Sequence, residues 1–186
     1  MRGEAMRTVL AGGMLLLLAA CASSPDIPPL TVGHVDLERY QGTWYELARL
    51  PMFFQRKCVQ SQADYRLRED GRLAVVNRCR TLDGSWEAAT GEAWPQVAGE
   101  TDKLWVRFDN WFSRLMPRLT RGEYWVLYVD DDYQTALVGH PSRDYLWLLS
   151  RTPEVSAQTQ ARLLSLAHER GYDVGKLIWR AEVPGD

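Results

Sequence analysis

An all-β fold is predicted, an eight-stranded antiparallel up-and-down barrel with one C-terminal helix packed outside and a short final strand. Three observations predict it. Apolar and polar residues alternate with period two through most of residues 43–151. A turn-like cluster follows each alternating run, so the runs connect as consecutive hairpins. No long crossover occurs of the kind that a Greek-key sandwich needs. Eight strands in sequence order can close on themselves, which removes both sheet edges.

The elements before the barrel set the compartment. Arg2 and Arg7 make a positive start, and residues 8–18 form an apolar run. That run is too short to span a bilayer, which needs about 20 residues, so residues 1–20 read as a signal peptide. Leu18-Ala19-Ala20-Cys21 follows and resembles the lipobox of bacterial lipoproteins, in which the Cys becomes the lipid-bearing first residue. The resemblance implies lipidation of Cys21. Each buried CH₂ of an acyl chain contributes about 0.8 kcal/mol to membrane anchoring. Ala22 stands where Asp would retain an enteric lipoprotein at the inner membrane, which favours the outer membrane, with the domain facing the periplasm. Residues 21–34 are rich in Ser and Pro and read as a tether. Residues 35–183 remain as one domain.

The first strand covers residues 43–50. In the second, Val59, Ser61, Ala63, Tyr65 and Leu67 share one face; in the third, Leu73, Val75, Asn77 and Cys79 do. Glu69-Asp70-Gly71 is a three-residue hairpin loop with Gly71 in the left-handed position. That loop pairs Leu67 with Leu73, Tyr65 with Val75 and Ser61 with Cys79, so both apolar faces coincide. Residues 85–94 make a fourth strand whose inward face the pattern does not decide. The fifth presents Leu104, Val106 and Phe108, and the sixth Tyr124, Val126 and Tyr128. A short seventh covers residues 134–140, and the eighth presents Tyr145, Trp147, Leu149 and Arg151. The period then changes: Val155, Thr159, Leu163, Leu166 and Ala167 line one helical face, and Gly171 sits at the C-terminal stop. Residues 175–183 supply the last strand.

Three short motifs occur in order. They are Gly42-Thr43-Trp44 at the start of the first strand, the Asp132-Tyr133 turn between the sixth and seventh, and Arg151 closing the eighth. Together they resemble the signatures of the lipocalins, and with the lipobox they are most similar to the bacterial outer-membrane lipoprotein members of that family. The resemblance covers about residues 35–183. It implies that Trp44 plugs the closed end of the barrel, with Arg151 packed over it and Gly42 letting the chain pass close beneath. A guanidinium over an indole contributes about 0.5–2 kcal/mol. Trp44 is therefore expected to be structural.

A barrel of this size either holds one small ligand or is filled by its own side chains. The inward parity gives Ala63, Tyr65, Val75, Asn77, Val106, Phe108, Tyr124, Val126, Tyr128, Tyr145 and Trp147 as ligand-binding candidates, apolar walls with a few phenol and amide groups. Glu46 shares parity with Trp44 and is expected to be the buried partner of an Arg or Tyr. The connections at the open end include Met52, Phe53 and Phe54, and a long loop over residues 110–122. That loop mixes Trp111, Phe112, Leu115 and Met116 with Arg114, Arg118 and Arg121, which suits either a lid or a lipid surface. Cys58 and Cys79 are even in number and suit an oxidising compartment. In a straight hairpin they lie about 10 Å apart, beyond the reach of a disulfide. A bond needs the chain before Val59 to fold back.

The leading functional expectation is a membrane-anchored lipid-binding protein. It would hold a fatty acid such as palmitate, or a lysophospholipid, for envelope lipid storage, transport or maintenance, with no cofactor and no catalysis. The resemblance implies the fatty-acid-like ligand; the residues alone say only that it is elongated or apolar. Alternatives are a barrel enzyme using a Cys79 thiol, a pigment or tetrapyrrole carrier, and a filled structural anchor. His34, His140 and His168 are spread over the lead-in, a turn and the helix, so no metal cluster is expected, and no His is expected on a pocket face. A net charge of −2 gives no argument for nucleic acid. The pattern leaves a homodimer open.

Overall fold

In the computed structural model, residues 27–109 and 121–182 are described. Eight strands follow in order: β1 (Gly42–Arg49), β2 (Cys58–Leu67), β3 (Leu73–Thr81), β4 (Trp86–Pro95), β5 (Lys103–Phe108), β6 (Gly122–Val129), β7 (Thr135–Gly139) and β8 (Leu146–Ser150). Each pairs antiparallel with the next. β1 pairs with both β8 and β2, which closes the barrel. A two-residue β9 (Ile178–Trp179) adds to β1 from outside. The hairpin register is as expected: Leu67 opposes Leu73, Tyr65 opposes Val75, and Ser61 opposes Cys79. Gly71 takes φ +76°, the left-handed conformation that a residue with a Cβ resists.

Apolar side chains separate into two groups. One fills the lower interior and includes Tyr40, Trp44, Leu73, Leu104, Val126 and Val138. The other lies outside the wall, where Leu47, Ala48, Leu127, Leu137 and Leu148 meet Leu163 and Ala167. Those last two belong to helix α2 (Ala157–Glu169), which Ser156 caps by accepting from the Thr159 amide at 3.1 Å. Gly171, at φ +82°, ends it.

Three features depart from strict alternation. Leu47 and Leu127 are extra residues at bulges, in β1 against β8 and in β6 against β7. Each bulge turns two successive side chains outward, Leu47 with Ala48 and Leu127 with Tyr128. A third bulge, at Val59, shifts Cys58 in register against β3. A short helix α1 (Leu37–Tyr40), capped by the Asp36 carboxylate, precedes β1 and was not expected. The described part of the expected tether, residues 27–34, is held against the barrel. Pro29 is buried, the Val32 amide donates to the Val126 carbonyl at 3.1 Å, and the Val35 amide donates to Thr101 Oγ1 at 2.9 Å. Residues 27–34 therefore pack along the wall, because the barrel offers them both apolar cover and backbone partners. Cys21 and the expected signal peptide, residues 1–20, lie outside the described residues.

Candidate functional site

The closed end is built around one ring. Trp44 is fully buried, and its Nε1 donates to the Tyr40 carbonyl at 2.8 Å. The Arg151 guanidinium lies 3.9 Å from its ring centre. The same guanidinium donates to the carbonyls of Tyr133, Thr43 and Arg39 at 3.1, 3.0 and 2.8 Å. A Cβ on Gly42, at φ +89°, would come within 3.3 Å of it. Tyr133 stands in the β6–β7 turn at φ +57°, accepts from the Asp36 amide at its hydroxyl and takes the Arg39 guanidinium over its ring. The carboxylate that organises this turn belongs to Asp130, which accepts from the Gln134 and Thr135 amides at 2.9 and 2.6 Å. Asp132 of the signature motif is exposed and accepts from the Gln134 side-chain amide at its backbone carbonyl.

Above this base three phenols meet. Tyr40 and Tyr124 hydroxyls are 2.8 Å apart, and Tyr65 and Tyr124 hydroxyls 3.1 Å. Burial pushes the Tyr65 hydroxyl up to about 12 and raises Tyr40 and Tyr124 as well.

The space above is a cavity of about 670 Å³. The alternative of a filled barrel is thereby set aside: opposite Leu73, Val75 and Asn77 the β4 residues are Ala93, Gly91 and Ala89, too small to fill it, and Glu87, opposite Cys79, lines it near the rim. Nine of the eleven expected lining residues do line it: Ala63, Tyr65, Val75, Asn77, Val106, Phe108, Tyr124, Tyr145 and Trp147. Val126 faces inward but is sealed within the packed base. Tyr128 faces outward, under Arg162, because the Leu127 bulge reverses the parity on which its inward placement depended.

A buried polar group occupies one wall. Glu46 Oε1 pairs with Arg49 Nη1 at 3.3 Å, and its Oε2 accepts from Gln55 Nε2 at 2.9 Å. Gln55 Oε1 accepts from the Trp147 indole at 2.9 Å. Burial pushes the Glu46 carboxyl up, against the opposing charge of Arg49. The expected role of Glu46, a buried partner for an Arg, is the one it has. Arg49 and Gln55 carried no signal in the alternation, since the Leu47 bulge reverses Arg49 and Gln55 comes from the rim. Asn77 Oδ1 is buried with no hydrogen-bond partner among the described residues.

At the open end, Phe53, Phe54, Leu82 and Trp86 are exposed on two neighbouring connections. His140 also lines the cavity here, contrary to expectation, edge-on to Tyr145 at 5.5 Å; a turn residue has no strand parity to predict it. Cys58 and Cys79 form a disulfide with Cα atoms 5.4 Å apart. The Val59 bulge supplies the fold-back that a straight hairpin lacks. Both sulfurs are consumed, so a Cys79 thiol nucleophile is not present. The loop over residues 110–120, expected as lid or membrane contact, lies outside the described residues. No helix among the described residues is long and apolar enough to cross a membrane.

A family model described as a lipocalin-like domain matches residues 35–182. The chain is 38% identical over 179 residues to the outer membrane lipoprotein Blc of Escherichia coli K12, covering 95% of this chain and 96% of that protein. It is 42% identical over 147 residues to temperature-induced lipocalin-1 of Arabidopsis thaliana, covering 77% of each. Among solved structures, insecticyanin from the tobacco hornworm Manduca sexta superposes with a TM-score of 0.64 over 86% of each chain at 20% identity. Lobster apocrustacyanin A1 does so with 0.60 at 15%, over 87% of this chain and 93% of that one. The last two likenesses speak for the fold alone.

Proposed function

For this chain, which belongs to the lipocalin family, we propose that the barrel carries a fatty acid or lysophospholipid as a lipoprotein of the outer membrane. The observation that carries this is the cavity, about 670 Å³ with predominantly apolar walls and a few fixed polar groups. Such a space takes an acyl chain and leaves a headgroup near the mouth. Glu46, Gln55 and Asn77 offer polar contacts along its wall, with Arg49 paired behind Glu46. The relatives named outer membrane lipoproteins support the location.

The membrane also suits the mouth. Arg143, in the β7–β8 turn at the open end, donates to the Ile27 carbonyl at 2.8 Å. The chain toward Cys21 therefore leaves from the same end as Phe53, Phe54, Leu82 and Trp86. Six residues, 21–26, span at most about 20 Å when extended. A lipidated Cys21 would hold the mouth close to the periplasmic leaflet, where exposed aromatic side chains settle at the interface.

Native mass spectrometry of protein purified from its own membrane, with lipid extraction, tests the proposal. Stoichiometric fatty acid or lysophospholipid is expected. A pigment in its place, coloured on purification, would favour the tetrapyrrole alternative, with His140 at the rim as its one imidazole among the cavity-lining residues.

A further inference from the structure

The three phenols at the cavity floor have a proton to spare. Each hydroxyl carries one donor and two acceptor sites. Tyr40, Tyr65 and Tyr124 share two hydrogen bonds among themselves and have no other side-chain partner among the described residues. Two bonds consume two protons, whichever way they point, so one O–H is left without an acceptor among the described residues.

Packing decides where that O–H sits. Tyr40 is fully closed off. If it accepted from Tyr124, its own proton would be stranded in a site with nothing to receive it, at the full desolvation cost of a buried donor. Tyr40 therefore donates to Tyr124. The spare proton falls on Tyr65 or Tyr124, and both line the cavity. Around them the floor is Trp44, Val75 and Leu149, which offer no side-chain acceptor.

We propose that this floor is a subsite for a neutral oxygen acceptor (a ketone, ester or hydroxyl oxygen) carried near the deep end of the ligand's chain. The inference rests on the lipid-carrier reading and narrows it: the preferred acyl chain is oxygenated far from its headgroup. A carboxylate does not fit here. The nearest cation of the base, Arg151, is engaged with three carbonyls outside the Trp44 ring, so a buried anion would lack a counter-charge.

Matched probes test this by fluorescence displacement. Dodecanoic, tetradecanoic and hexadecanoic acids are compared with counterparts bearing a ketone at the penultimate carbon. At the length that reaches the floor, the ketone acid is expected to bind about tenfold tighter than its plain partner. The double variant Tyr65→Phe/Tyr124→Phe should erase that advantage, read as the ratio of each ketone acid to its plain partner in the same variant. Equal affinity of the pair at every length would overturn the subsite and leave the lipid carrier standing. Binding of neither series would instead remove the carrier reading. An advantage that survives in the double variant would show that the tyrosines are not its source. The wild-type comparison decides by itself should the double variant fail to fold.

Discussion

The Arg151 guanidinium and the Trp44 indole are stacked with 3.9 Å between the guanidinium carbon and the ring centre, and the same guanidinium is shared among three backbone carbonyls. One side chain thus ties α1, β1, the β6–β7 turn and the end of β8 to the plug. Lys in its place offers a point charge with no planar fork. Arg151→Lys is expected to lower stability by about 2–3 kcal/mol. A denaturant titration with unchanged m-value would measure it, and an unshifted midpoint would show that the stack is idle.

The rim disulfide closes a segment with a sequence separation of 21. Loop entropy gives such a crosslink about 3 kcal/mol. The double variant Cys58→Ser/Cys79→Ser should melt lower than the oxidised wild type, and reductant should move only the wild type. Alkylation of the native protein at Cys58 or Cys79 without reductant would contradict the bond itself.

Trp147 and Tyr128 form a paired test of which way the strands face. Trp147 lines the cavity and donates to Gln55, whereas Tyr128 lies outside beneath Arg162. Trp147→Ala is expected to weaken fatty-acid binding about tenfold with the fold retained. Tyr128→Ala should leave affinity unchanged and cost some stability. The opposite pattern in fluorescence titration would mean that the Leu127 bulge has been misplaced.

Alkaline stability follows from the floor phenols. An unfolded Tyr ionises near pH 10, while Tyr65 is held up to about 12 by burial. The raised group contributes stability that is full below the unfolded value and is lost as pH climbs through the folded one. Between about pH 10 and 12 the protein should weaken by up to about 3 kcal/mol from Tyr65, with Tyr40 and Tyr124 adding in the same direction. Tyrosinate absorbance should rise in step with unfolding. Ionisation of every Tyr near pH 10 in a still-folded protein would count against it.

Strand order, the β2–β3 register and the outer helix were all legible, because period-two alternation, Gly71 and the change to helical spacing are local signals. The plug was legible through a resemblance, from Gly42, Trp44 and Arg151. What escaped has a common physical origin. Tyr128 was assigned inward and Arg49 went unnoticed because a bulge reverses parity without leaving a mark in composition. Gln55 and His140 reach the cavity from connections, where no periodicity exists. Asp130, outside the signature motif, organises the turn, a choice among three consecutive Asp residues that depends on backbone geometry. Tyr40 was hidden in a helix of four residues.

Both bulged residues, Leu47 and Leu127, lie in the outer apolar group that seats α2. Doubling the outward side chains there widens the seat, and on β1 the cost of that widening is a reversed Arg49. The buried cation beside Glu46 is thus a by-product of fastening a helix to the barrel's outside. A relative that lost α2 would have no use for the irregularity in β1, and straightening it would swing Arg49 back to solvent and part it from Glu46. Grip on the exterior and charge in the interior are inherited together.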